Sequence, residues 1–130
     1  MRAEPFRDWL PPLLWAGLIL FLSGERGASG STEGWIVWLF GDLSPETLFY
    51  LHYTLRKGAH VIGYAILGAL NLRGFHGRRP LAALVLAALV AVLDESHQAT
   101  SPLRTAALAD IGFDLCGAGL GVMAWRNHAR

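Results

Sequence analysis

From residue 81 to residue 93 the chain reads LAALVLAALVAVL, with no polar side chain anywhere in the run. A helix that crosses a bilayer needs about 20 mostly apolar residues. The run continues as far as Gln98 with only a few polar side chains at its end, so it suits a membrane span better than a helix wetted on one face. Composition points the same way. Of the 130 residues, 53% are hydrophobic and 16% charged, and mean hydropathy is +0.37. A soluble domain carries about 25% charged residues. The length fits a single domain over residues 1–130. A net charge of +1 and a pI near 8.0 give no footprint for nucleic acid. The single Cys116 excludes an intramolecular disulfide and a cysteine-based zinc site. It falls among apolar neighbours, where a packed, inert thiol is expected.

Four stretches are expected to span, giving an all-α integral membrane bundle of four transmembrane helices: residues 9–23, 53–72, 81–98 and 106–125. Pro11 and Pro12 suit the start of the first. The alternative for that stretch is a signal peptide, with Arg2 and Arg7 as its basic end, although Glu4 and Asp8 weaken that reading. Ser44-Pro45-Glu46 reads as a helix cap followed by proline at the first helical position. The second helix is therefore expected to begin at Pro45 and to project beyond the bilayer. WIVWLF, residues 35–40, is too short to cross and is expected at the interface, in the first outer loop.

Loop charge predicts orientation. Arg73, Arg78 and Arg79 lie between the second and third spans with no acid among them, and Arg126 and Arg130 follow the fourth. The first loop is acidic, with Glu25, Glu33, Asp42 and Glu46 against Arg26. Basic loops stay cytoplasmic. Both termini are thus expected inside the cell membrane and the first and third loops outside.

The remaining charges converge. A rise of 1.5 Å per residue puts His60 roughly 20 Å above Arg73, Asp94 roughly 21 Å above Pro80, and Asp110 and Asp114 roughly 24 and 18 Å above Arg126. Arg56, His60 and Tyr64 follow one another at intervals of four and share a face. Asp94 shares a face with His97 and Gln98, whereas the adjacent Glu95 is expected to point elsewhere. Gly117 and Gly121 have the spacing that lets helix backbones approach closely, within the chain or between copies of it. Ionisable groups at membrane depth cost a few kcal/mol or more each, so they pair, face water or act.

Three segments together resemble the VanZ-like family: RKGAHVIGYAILG (residues 56–68), DESHQ (94–98) and PLRTAALADIGFDLCGAGLG (102–121). Lys57, His60, Tyr64, Asp94, Glu95, Gln98, Pro102, Arg104, Asp110, Gly117 and Gly121 fall on that family's pattern. Leu103, Ala107 and Asp114 depart from it, standing where Gly, Ser and Asn are usual. The resemblance implies a small multi-span membrane protein, and the family's namesake is linked to low-level resistance to the glycopeptide teicoplanin.

The residues themselves suggest an outer-leaflet site for an anionic lipid or a lipid-linked envelope precursor. Arg56, Lys57 and Arg104 would clamp the anionic group. Tyr64, Glu95, Gln98 and Asp114 complete the binding set, and His60, Asp110 and Asp94 are the groups able to move protons, with His60 and Asp110 as the acid–base pair. No serine or cysteine nucleophile stands beside a base, so covalent acyl transfer is not indicated, and no cofactor is expected. A metal held by His97, Asp94, Asp110 and Asp114 is the weaker use of carboxylates that can neutralise Lys57 and Arg104, and none is assigned. Two other functions stay open. The charges can merely lock the bundle as a structural or partner-binding module. They can also belong to a proton or solute path, although the inner halves of the last three spans lack ionisable groups.

Overall fold

The computed structural model describes residues 5–23, 29–100 and 108–129. Among these it is all-α, in the order α1 (Pro5–Ser23), α2 (Ser29–Phe40), α3 (Pro45–Gly74), α4 (Pro80–Ala99) and α5 (Leu108–His128). The expected helix at Pro45 is present. Ser44 caps it, its hydroxyl accepting from the Thr47 N–H. At 30 residues α3 is roughly 45 Å long, well beyond a hydrocarbon core of about 30 Å. Pro11 and Pro12 do not open α1 but lie inside it, leaving the carbonyls of Arg7 and Asp8 without helical donors. The helix begins instead at Pro5.

Only α4 and α5 are both long and apolar enough to cross a membrane, among the described residues. The all-α architecture is as expected, and two of the four expected spans meet this test. The apolar part of α1 begins only after Arg7 and Asp8, and Glu46, Arg56, Lys57 and Arg73 dilute α3. The four long helices nevertheless pack side by side, with α3 against α1, α4 and α5, and α4 also against α1 and α5. The short α2 touches α3 alone and exposes Trp35, Trp38, Leu39 and Phe40.

Small residues set the spacing. Ala83, Ala87 and Ala91 form a stripe on α4 with no exposure at all. Asp94 and Gln98 extend that stripe, which is why they too point inward. Between α3 and α5 the backbones touch. A Cβ added to Gly117 would run into the Val61 carbonyl, one added to Gly121 into that of Ala65, and one added to Gly68 into that of Ala118. The glycine face considered for association between copies is thus covered by α3 of the same chain. Cys116 lies on the opposite side of α5 and is exposed, not packed. Tyr64 and Leu67 are the large side chains at the centre, with Trp15, Ala16 and Ile19 of α1 packed against them.

The partition is inverted relative to a water-soluble protein. Asp94, Glu95, Gln98, Asp110, Asp114 and Asn71 are buried. Leu13, Leu14, Ile62, Val85, Leu89, Leu120 and Met123 are exposed. In water this arrangement carries desolvation penalties inside and forgoes the hydrophobic gain outside, whereas in lipid the apolar exterior costs nothing.

Candidate functional site

α3, α4 and α5 bring their polar side chains together in a ladder. Lys57 forms an ion pair with Asp110. One turn further along, His60 Nδ1 lies 2.9 Å from Asp114 Oδ1. Beyond these rungs come the Gly117–Val61 and Gly121–Ala65 contacts, so the close glycine approach fixes which rung meets which. The expected pairing of His60 with Asp110 is therefore replaced by His60 with Asp114. The antiparallel register gives Asp110 to Lys57, which sits a turn further out.

A second row of bonds joins α3 to α4. Arg56 donates to Gln98 Oε1 at 3.2 Å, Gln98 Nε2 donates to Asp94 Oδ1 at 3.3 Å, and the Tyr64 hydroxyl donates to Asp94 Oδ2 at 3.3 Å. Tyr64 also stacks on His60, with ring centroids 6.4 Å apart and planes 16° from parallel. Glu95, expected to point away from the cluster, is buried as well. His97 is not in the cluster. It is exposed and bonds Ser23 of α1 at 3.2 Å, so a cation set that includes it does not form. Arg104, with Pro102, Leu103 and Ala107, lies outside the described residues.

The two adjacent cations of α3 have different surroundings. Lys57 is held by Asp110 and lies 5.3 Å from the Tyr53 ring centroid and 5.4 Å from that of Phe113. Such rings attract an ammonium electrostatically. Arg56 instead lines a cavity of about 650 Å³ between α1 and α3. His52, Arg56, His60, Tyr64 and Asp94, with Ser23 and Thr32, give this cavity its polar lining, and Trp15, Leu18, Ile19, Leu22, Leu55, Ile62 and Ile66 are among its apolar walls. From His52 to Ile66 is roughly 21 Å of helix. Trp15 ties α1 to this wall, its indole N–H donating to the Gly63 carbonyl at 2.8 Å. His52 has no spacing partner when read as a loop residue. Read on the helix that starts at Pro45, it extends the stripe of Arg56, His60 and Tyr64 outward by one turn, and that signal was available in the sequence.

Fold and site together define a small all-α membrane protein with a buried polar cluster that opens into an apolar-walled cavity. The model of the family described as VanZ/LLP1 matches residues 9–128, nearly the whole chain, and the protein belongs to that family. No curated protein and no solved structure matches it.

Proposed function

We propose that the cavity between α1 and α3 binds an anionic amphiphile of the cell envelope, either a lipid or a lipid-linked cell-wall precursor. The observation that carries this reading is the division of the cavity lining. Arg56 and His52 stand at one end, and Trp15, Leu18, Ile62 and Ile66 make much of the length beyond it apolar, with His60, Tyr64 and Asp94 set among them. A guanidinium matches phosphate or carboxylate in a two-pronged geometry. Apolar walls suit an acyl or polyprenyl chain, and the cavity volume falls within the ordinary range for ligand sites, about 300–1,000 Å³.

In this reading α1, α3, α4 and α5 all cross the membrane, with both termini cytoplasmic and the Arg56 end of the cavity in the outer leaflet. The basic turn that holds Arg73, Arg78 and Arg79 supports that orientation. A bound wall precursor would connect the namesake's link to teicoplanin resistance with a physical site. His60 and Asp94 line the cavity and are the groups placed to exchange a proton with a ligand there.

A second reading is supported by the ladder itself. Lys57 with Asp110 and His60 with Asp114 satisfy one another, as expected of charges that only hold helices together. Native mass spectrometry in mild detergent separates the two. An amphiphile site retains an anionic lipid, with at least about tenfold lower occupancy in Arg56→Gln at unchanged thermal stability. A lipid-free wild type in several detergents would leave the structural reading.

A further inference from the structure

We propose that His60, Asp94 and Asp114 form a divalent-cation site at the floor of this cavity, with zinc as the preferred ion. The three residues come from three different helices, and one ligand atom from each lies within 4.8 Å of the other two. Asp94 and Asp114 are each 1% exposed. Around a zinc ion with bonds of about 2.0–2.2 Å, ligand atoms stand about 3.4 Å apart, so no edge contracts by more than about 1.4 Å, which side-chain torsions can supply.

Charge is the second argument. Among the described residues neither Asp94 nor Asp114 is paired with a lysine or arginine. Lys57 is committed to Asp110, and Arg56 to the neutral Gln98 oxygen. Asp94 receives only the neutral donors Tyr64 and Gln98, both at 3.3 Å. Asp114 receives only His60. Among the described residues, two carboxylates at membrane depth thus face one imidazole, and a divalent ion balances them. Protonation is the competing way to remove that charge, and the experiment below separates the two.

The donor set selects the ion. One imidazole and two carboxylates suit a first-row divalent metal better than calcium, which takes six to eight oxygens. Among such metals zinc binds nitrogen and oxygen sites more tightly than manganese or iron, and copper(II), which binds them more tightly still, favours a square-planar or tetragonal arrangement over three ligands drawn from three helices. Three protein ligands leave a fourth position open. His60 and Asp94 line the cavity whereas Asp114 lies behind them, so the open position faces the cavity. Tyr64 and Gln98 hold Asp94 from either side, the kind of outer support that orients metal ligands. If the amphiphile reading is correct, the ion faces that ligand's anionic end, but the cation site stands without it.

The test uses full-length, tag-free protein, delipidated in mild detergent and stripped with EDTA. Zinc is titrated by calorimetry and elemental analysis, and cobalt(II) serves as a visible-absorption probe of coordination. One zinc per chain is expected, with cobalt bands of a four- or five-coordinate site and a melting temperature that rises with zinc concentration. His60→Gln and Asp94→Asn each weaken binding by at least about a hundredfold, since loss of an outer partner alone costs 10–100-fold. Replacing the exposed His76 and His128 by alanine leaves binding unchanged. Substoichiometric zinc in the wild type, or affinity that survives in His60→Gln and Asp94→Asn, overturns the proposal and favours protonated carboxylates. The readout is lipid-free, so its failure leaves the amphiphile site standing, and loss of lipid binding leaves the cation site standing.

Discussion

The indole N–H of Trp15 on α1 donates to the backbone carbonyl of Gly63 on α3 at 2.8 Å. A Cβ at Gly63 would meet nothing within 4 Å, so the bond does not depend on the missing side chain. The bond pins α1 across the cavity wall. Trp15→Phe keeps most of the ring and removes the donor. Hydrogen bonds between membrane helices contribute about 0.6 kcal/mol on average and up to about 1.7. A loss of about 1 kcal/mol is expected, read as a melting temperature a few degrees lower in detergent.

The α3–α5 contact is more sensitive. A methyl group at Gly121 meets the Ala65 carbonyl, a backbone atom that moves only if the helices separate. Gly121→Ala is expected to destabilise by about 1–3 kcal/mol, the usual cost of overpacking. Gly119, two residues earlier, has open space around it, and Gly119→Ala is expected to change stability by no more than about 0.5 kcal/mol. Equal effects of the two substitutions in thermal unfolding would contradict the helix contact described here.

Lys57 and Asp110 are mostly buried, with side chains 18% and 7% exposed. Breaking such a pair from one side costs about 3–5 kcal/mol, because the remaining charge is left buried. Lys57→Met is expected to fall in that range. Combining it with Asp110→Leu is expected to restore more than half of the loss, since well-packed apolar pairs often match a buried ion pair. Equilibrium unfolding of the two single variants and the double variant measures the coupling.

Much of the fold was legible because helix period and helix ends are local. The alanines at 83, 87 and 91 point the same way as Asp94 and Gln98, and Ser44-Pro45 marks a helix start whatever lies around it. Convergence of the polar groups at one level followed from rise per residue alone. The partner of His60 did not, because choosing Asp114 over Asp110 needs the axial register of α3 against α5, and glycine contacts distant in sequence set that register. Glu95, His97 and Cys116 were misread for a related reason. Which flank of a helix is covered depends on how its neighbours pack: Glu95 is buried, His97 bonds Ser23 of α1, and Cys116 is exposed.

The central claim is that the space beside Arg56, His60 and Asp94 holds an amphiphile, and filling that space tests it most directly. Gly63 lines the cavity and Gly58 does not, and both have room for a side chain. Native mass spectrometry of Gly63→Leu and Gly58→Leu, purified identically and compared at equal melting temperature, measures bound anionic lipid. Loss of the lipid in Gly63→Leu, with wild-type occupancy in Gly58→Leu, is the expected result. Equal occupancy in both variants, or a wild type that carries none, would contradict the account.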